Sequence, residues 1–243
     1  MICRLCLKEK RLGKAHVIPE GFFRNVGYLS ETLALHTNTA GTYPKRAPIG
    51  VYDKSILCSP CDNLFSPWEN HAQDVLLRTF ASAIVLKHEN GVVGWVINSF
   101  DYRAMKLFFI SLLWRASIST HDFYRRISMG PFEHELREMI LAEEPGSPET
   151  FAVTLARFSE PACTAMLDPH PERYDRVNYA RFYLSGFVAY IKVDHPPPPD
   201  WLADFILRPN APLTILLRSA RESADAVVMR DIARFAWNRK HGG

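Results

Sequence analysis

The chain has 243 residues, of which 47% are hydrophobic and 23% charged, and its formal net charge at neutral pH is +3. These values are typical of a globular protein that buries a core, and they exclude a largely disordered or fibrous chain. The charge is uneven, because residues 1–60 hold nine Lys/Arg and four Asp/Glu, a net of +5. Such a basic N-terminal part favours a polyanion such as nucleic acid as a partner, although chance fluctuation is the alternative explanation.

The N-terminal ninety residues predict a small module. Residues 1–20 predict a hairpin with a tight turn, followed by an extended run at 16–18 that Pro19 ends. Residues 21–48 show no sustained periodicity and predict a long loop, which in a compact domain is often functional. A strand is expected at 51–57. Apolar residues then recur at helical spacing, which predicts one helix from Asp62 to about Leu86.

The remainder of the chain predicts a second domain of helices and strands. A strand is expected at 92–98, and Asp101 is placed to cap a helix at 102–119. That helix is apolar nearly all round, so it should lie at the centre of the core. The other elements expected here are a helix at 132–142, strands at 151–158, 179–184, 187–193 and 213–217, and a closing helix at 222–238.

Four of the five cysteines form two CxxC pairs, Cys3 with Cys6 and Cys58 with Cys61. The two-residue gap lets both thiolates of a pair bind one Zn²⁺ at about 2.3 Å, and two pairs complete a tetrahedral site. One pair on a hairpin and one at the start of a helix are typical of a treble clef. The alternative is unligated or redox-active thiols. The fifth cysteine, Cys163, is expected to be incidental.

The predicted fold class is therefore α+β, with a zinc-bound treble-clef finger (residues 1–90) packed on a larger helix-plus-antiparallel-sheet domain (residues 91–243) of unknown role. The most apolar stretch, residues 105–118, is broken by Ser111 and Arg115 and is too short to span a bilayer. No basic region followed by an apolar run precedes Cys3, so no secretory signal is expected. We therefore expect a cytoplasmic protein that does not enter a membrane, and the sequence does not indicate its oligomeric state.

Between the cysteine pairs stands Ala15-His16-Val17-Ile18-Pro19, and the second pair is preceded by Leu57 and followed by Asp62. This order of motifs, over about residues 1–75, resembles the HNH endonucleases, whose ββα-metal finger is a treble clef. The resemblance implies that Cys3, Cys6, Cys58 and Cys61 bind a structural zinc ion. It also implies that His16 is the general base that deprotonates water for attack on a DNA phosphodiester. Asp62 would then hold the catalytic divalent ion, Mg²⁺ or another.

Two further stretches are similar to a group of bacterial proteins that combine a CxxC…SHIIP…LCxxC…FSxxE finger with a helix close to FKLFxLSxLWRAS. Residues 65–69 match the FSxxE part of the finger, and residues 106–117 match the motif of the helix. The match makes Glu69, two helical turns after Asp62, a second candidate ligand of the catalytic ion. Stand-alone nucleases of this kind often act in phage defence, which implies an antiviral role with a possible protein partner.

Position 15 departs from the HNH pattern, because many of these enzymes carry Asp, Glu or His directly before the catalytic histidine. Ala15 cannot bind metal. Either another side chain completes the site, for which Glu20 and Asn38 are further candidates, or the site is degenerate and His16 is structural. The alternative function is a non-catalytic zinc module that binds nucleic acid or a partner protein. Arg115 is expected either to form a buried ion pair or to reach a phosphate.

Overall fold

The computed structural model describes residues 1–27, 34–35, 45–46, 50–89, 91–159 and 166–219. These residues form an α+β structure with a seven-stranded sheet and several helices, which confirms the predicted fold class at this level. The predicted closing helix at 222–238, most of the predicted loop at 21–48, Asn38 and Cys163 lie outside the described residues.

The helices and strands follow one another closely along the chain. The helices are α1 (Glu20–Gly27), α2 (Ser59–Asn63), α3 (Ser66–Gln73), α4 (Tyr102–Ile118), α5 (Phe132–Ala142) and α6 (Asp200–Ala203), with a π-helical turn at Asp74–Arg78 and 3₁₀ turns at Phe80–Ser82 and Asp122–Tyr124. The strands are β1 (Ala15–His16), β2 (Ala34–Leu35), β3 (Lys45–Arg46), β4 (Tyr52–Asp53), β5 (Ile84–His88), β6 (Gly91–Ile97), β7 (Val153–Phe158), β8 (His170–Tyr174), β9 (Val177–Leu184), β10 (Phe187–Lys192) and β11 (Leu213–Arg218).

The large sheet has the strand order β5-β6-β11-β7-β10-β9-β8. Its neighbouring strands are antiparallel except β11 and β7, which run parallel with Ile215 opposite Leu155. The β9–β10 hairpin turns at Ser185 and Gly186, whose φ angles of 53° and 90° suit a two-residue turn that matches the twist of the strands. The predicted antiparallel sheet is thus confirmed apart from one pairing.

Helix α4 lies at the centre of the core, as its apolar sequence predicts. Asp101 caps it by accepting a hydrogen bond from the Ala104 amide at 3.0 Å. The helix packs against α3 and α5, and it buries 13 of its 17 residues. No helix among the residues that the structure describes has the length and apolar character needed to cross a bilayer.

The finger and the sheet share one hydrophobic core. Buried residues of the finger, among them Val17 and Phe65, belong to the same cluster as Phe182 of β9. Phe22 of α1 stacks on Phe108 of α4 with 5.9 Å between the ring centroids. The β5–β6 hairpin straddles residue 90, so the division of the chain there stays a prediction. A second, smaller cluster includes Tyr179, Tyr190 and Leu202.

The predicted single helix at 62–86 is wrong at its C-terminal end and is divided into shorter helical segments. Helical structure continues through α2, α3 and the π turn to Arg78, and Ile84–His88 then form the edge strand β5. A short apolar run is compatible with the periodicity of a helix and with that of a strand. Here the pairing with β6 makes it a strand. The strand predicted at 51–57 is limited to β4. Strand β8, which was not predicted, is a polar edge strand that contains Pro171.

Candidate functional site

The four paired cysteines come together in space. The Sγ atoms of Cys3, Cys6, Cys58 and Cys61 all lie within 4.8 Å of one another, and none of the four forms a disulfide. Thiolates around a tetrahedral Zn²⁺ stand about 3.8 Å apart, given Zn–S bonds of about 2.3 Å. The four side chains therefore fit a metal ion such as zinc after only small movements.

Local backbone structure presents each cysteine pair. The Cys3 amide donates to the Lys8 carbonyl at 3.0 Å and the Leu7 amide to the Cys3 carbonyl at 2.9 Å, which closes a tight turn around the first pair. Leu7 has a φ of 57°, in the left-handed region that such a turn requires. The second pair begins at Cys58, directly before α2. A β-bridge between Leu12 and Cys58 brings the two pairs together.

Hydrogen bonds and burial shift the thiol pKa values in opposite directions. Burial alone would raise the pKa of Cys3, but hydrogen bonds from the backbone of Cys58, Cys6 and Leu5 outweigh it and lower the pKa to about 7. Burial raises the pKa of Cys61 far above its usual range, and hydrogen bonds to the neighbouring thiols raise it further. One stabilised thiolate thus makes the next thiol harder to ionise. A bound cation relieves this repulsion, which is the ordinary coupling between metal and thiol protons.

His16 lies on β1, which pairs antiparallel with β4 so that His16 is opposite Tyr52 and Ala15 is opposite Asp53. Because strand side chains alternate, Ala15 and Asp53 are buried while His16 and Tyr52 are partly exposed. The His16 and Tyr52 rings meet edge-on with their centroids 5.9 Å apart. The histidine is therefore within reach of a ligand at the surface of the finger.

The acid opposite Ala15 is held in a structural role. The Asp53 carboxylate accepts hydrogen bonds of 2.5 to 3.1 Å from Ser55, Ser119 and Thr120. Burial alone would raise the pKa of Asp53, but these hydrogen bonds outweigh it and hold the pKa below its usual range. Asp53 thus ties β4 to the segment after α4, and it does not replace the acid that is missing at position 15.

Arg115 of α4 connects His16 with Glu69. Its Nη1 atom donates to the main-chain oxygen of His16 at 2.6 Å and to Glu69 Oε1 at 2.5 Å. The guanidinium lies 4.5 Å from the ring centroid of Phe65. The side chain of Arg115 is 1% exposed and that of Glu69 is 19% exposed. Of the two roles expected for Arg115, the structure shows the buried ion pair.

Asp62 of α2 lies near the same group. The pKa of its carboxyl is raised, and burial is the largest cause. The charge of Glu69 raises this pKa further, whereas the charges of Arg115 and His16 lower it. The charges of His16, Asp62 and Glu69 therefore interact. In the described part of the chain, the four cysteines are the only group of three or more His, Cys, Asp or Glu whose ligand atoms converge in this way. The ligand atoms of His16, Asp62 and Glu69 are therefore less closely gathered than those of the cysteines.

The further candidate acid, Glu20, is engaged elsewhere. It forms an ion pair with Arg24 one turn along α1, at 2.8 Å from the guanidinium. Among the described residues, Glu20 belongs to no group of three or more converging metal ligands.

A basic cleft was not predicted as a site. Its volume is about 680 Å³ and it lies beside the cysteine cluster, with Cys58 in its wall. The cations of this cleft are Lys10, Arg11, Lys14 and Lys54. The excess of positive charge over residues 1–60 was the feature of the sequence that pointed to this cleft. That Lys54 lies beside residues 10–14 becomes visible only from the pairing of β1 with β4.

Comparisons with protein-family models, with curated proteins and with solved structures give no significant match to this chain.

Proposed function

We propose that this chain is a metal-dependent endonuclease of the HNH type that hydrolyses DNA phosphodiesters and whose zinc finger is a treble clef. The observation that carries the proposal is the arrangement of β1, β4 and α2. An antiparallel strand pair is followed by a helix, with His16 on the first strand and Asp62 on the helix, and the charges of the two side chains interact. Antiviral activity with a protein partner, which the resemblance implies, stays a prediction.

Zinc is the structural ion in this proposal. Cys3 and Cys6 fix the segment before β1, while Cys58 and Cys61 fix the start of α2. A single ion at these four sulfurs thus holds together the elements that carry His16 and Asp62. Its role is to position them, since four thiolates leave tetrahedral zinc no open position for a substrate.

His16 is the proposed general base, which accepts a proton from the water that attacks the phosphorus. Asp62 and Glu69 are the proposed ligands of a divalent ion such as Mg²⁺, which when bound neutralises the phosphate and the leaving 3′ oxygen. One or two carboxylates suffice for such an ion, because waters and substrate phosphates complete its shell. Arg115 positions the site by fixing Glu69 Oε1 and the main chain of His16.

The alternative function is a zinc-bound module that binds nucleic acid or a partner protein without catalysis. Two observations favour it. Ala15 offers no ligand, and the charge of Glu69 is already neutralised by Arg115, which occupies the role that a metal ion would have. In this arrangement the charge of Glu69 needs no second cation, so the surface of the finger can serve binding alone.

Cleavage of supercoiled plasmid separates the two functions. Wild-type protein, His16→Ala and the control His134→Ala are incubated with Mg²⁺, Mn²⁺ or Ni²⁺. His134 is a suitable control because its side chain is 81% exposed on α5. We expect nicking by wild type and by the control, and a rate at least about 100-fold lower for His16→Ala, the effect of losing a general base.

Equal nicking by wild type and His16→Ala would contradict the enzymatic proposal, because it would point to a contaminating nuclease. DNA binding without nicking under any of the three metals would favour the binding module instead.

A further inference from the structure

The basic cleft is built by two segments that are distant in the sequence. Lys10, Arg11 and Lys14 precede or adjoin β1, Lys54 follows β4, and Ser59 and Pro60 of α2 complete the wall. The four cationic side chains are exposed. No Asp or Glu is among the described residues that line the cleft. The cleft therefore concentrates positive charge that its own wall does not neutralise.

A glycine keeps the cleft open beside Ser59. Gly13 lies in the wall, and a Cβ atom at this position would stand 3.3 Å from Ser59 Oγ. A larger residue at position 13 would crowd Ser59 and narrow the cleft. The Gly13 amide itself donates to the Leu57 carbonyl at 2.9 Å, so the group that a phosphate can approach there is the exposed Ser59 hydroxyl.

The cleft adjoins His16 through Tyr52. Alternation along the paired strands places Lys14 and His16 on the same face as Tyr52 and Lys54. Lys14 Nζ lies 5.1 Å and Lys54 Nζ lies 5.7 Å from the Tyr52 ring centroid. The His16 ring meets the same tyrosine at 5.9 Å. The Tyr52 side chain thus lies against two of the four cations of the cleft and against the histidine.

We infer that this basic cleft binds the sugar–phosphate backbone of a nucleic acid and guides the strand past Tyr52 to His16. Four exposed cations without acids suit the repeated negative charge of phosphates. The partly exposed Tyr52 offers a stacking surface for an unpaired base of such a strand. Delivery to His16 rests on the proposed nuclease function, whereas binding in the cleft is measured without cleavage.

Fluorescence anisotropy with a labelled DNA duplex, in a salt series without divalent ions, tests the inference. The cleft variant is Lys10→Gln/Lys14→Gln/Lys54→Gln. The control, Lys87→Gln/Arg126→Gln/Arg173→Gln, removes the same charge from exposed positions outside the cleft. We expect the cleft variant to bind at least about tenfold more weakly at low salt. The slope of log affinity against log salt should fall in magnitude by about 2 to 3, for three lost phosphate contacts.

The control variant should keep its affinity within about twofold. Equal losses in the two variants would overturn the inference, because net charge alone would then explain binding. Displacement of DNA by poly-glutamate as efficiently as by unlabelled DNA would overturn the choice of nucleic acid. Equal zinc content and thermal midpoints in the two variants show that both are folded.

Plasmid nicking by the wild-type protein, measured on the same preparation, keeps the two proposals apart. If the cleft variant loses DNA binding and the control variant does not, the proposed role of the cleft is supported even where wild type does not nick DNA. Unchanged binding in the cleft variant overturns the cleft even where wild type nicks DNA.

Discussion

At the scale of single residues, Arg115 is the side chain on which the candidate site depends most. It is buried, and its partners, the His16 carbonyl and Glu69, come from two other elements. The pattern of a basic residue on an apolar helix indicates that Arg115 needs a partner, but the partner is 46 residues away in the sequence. No local periodicity reports a contact over that distance, so the pairing becomes visible only in the fold.

Replacement of Arg115 tests its structural role. Arg115→Met removes the guanidinium and leaves Glu69 and the His16 carbonyl without this donor. We expect the free energy of unfolding to fall by about 3 kcal/mol, the usual cost of breaking a buried pair from one side. Urea unfolding measures it. As a control, Arg126→Met at an exposed position should change the free energy by less than about 0.5 kcal/mol. Equal stability of Arg115→Met and wild type would contradict the role given to the ion pair.

The cysteines illustrate the opposite case at the residue scale. Two CxxC pairs predict a four-sulfur site because the spacing within each pair already fixes two ligands, and the structure brings all four Sγ atoms together. The charge of His16 acts to lower the pKa of Asp62, whereas a shared metal site of the two residues stays a prediction. The roles of Asp53 and Arg115 escape such reasoning, because nothing in their immediate neighbours identifies the groups that they bind.

At the scale of elements, the strand pair that carries His16 is held to the central helix by Asp53. Strands β1 and β4 have two residues each, so few backbone hydrogen bonds hold them. The Asp53 carboxylate supplies the missing restraint by accepting hydrogen bonds from Ser119 and Thr120, directly after α4. Loss of this carboxylate should therefore loosen the position of His16 as well as lower stability.

The pKa of Asp53 gives the contact a pH dependence. Because its pKa is lower in the folded chain than in the unfolded one, Asp53 stabilises the fold above the unfolded value of about 3.9. This contribution is lost as the pH falls through the folded pKa. Asp53→Asn should therefore be less stable than wild type by about 1–3 kcal/mol at pH 7, and the difference should shrink below about pH 4.

Urea unfolding of both proteins between pH 7 and pH 3 measures this difference. A gap between wild type and Asp53→Asn that widens in acid would contradict the assignment, and so would the absence of any gap at pH 7.

The elements themselves were predictable in unequal measure. Helix α4 is found within one residue of its prediction, because a cap and a long apolar run agree. Strand β5 was taken for helix, because Ile84-Val85-Leu86 is too short to show a period. Tertiary pairing with β6 decides such a stretch, and a single sequence does not display that pairing.

At the scale of the whole molecule, the finger contributes to the common core and does not stand apart from it. Val17 and Phe65 belong to the same cluster as residues of the large sheet. Loss of the metal should therefore affect the entire fold. The parallel pairing of β11 with β7 depends likewise on the complete chain path, which explains why the sequence indicated an antiparallel sheet only.

Removal of zinc tests the link between the finger and the common core. We expect one Zn²⁺ per purified chain and loss of that ion in Cys58→Ser, with a lower thermal midpoint for the whole protein. The binding energy of structural zinc, about 10–16 kcal/mol, is as large as the stability of a domain. Cys163→Ser is the control and should retain zinc. Metal analysis with calorimetry provides both values, and a metal-free wild-type protein would contradict the zinc site.

The central claim is that His16 and Asp62 have different roles in one phosphodiesterase site. The rate of plasmid nicking as a function of Mg²⁺ concentration tests it most directly, with wild type, His16→Ala and Asp62→Asn. We expect Asp62→Asn to raise the Mg²⁺ concentration for half-maximal rate by at least about tenfold, because one carboxylate ligand is lost. His16→Ala should lower the maximal rate by at least about 100-fold without shifting that concentration. The same Mg²⁺ dependence and the same maximal rate in all three proteins would contradict the claim.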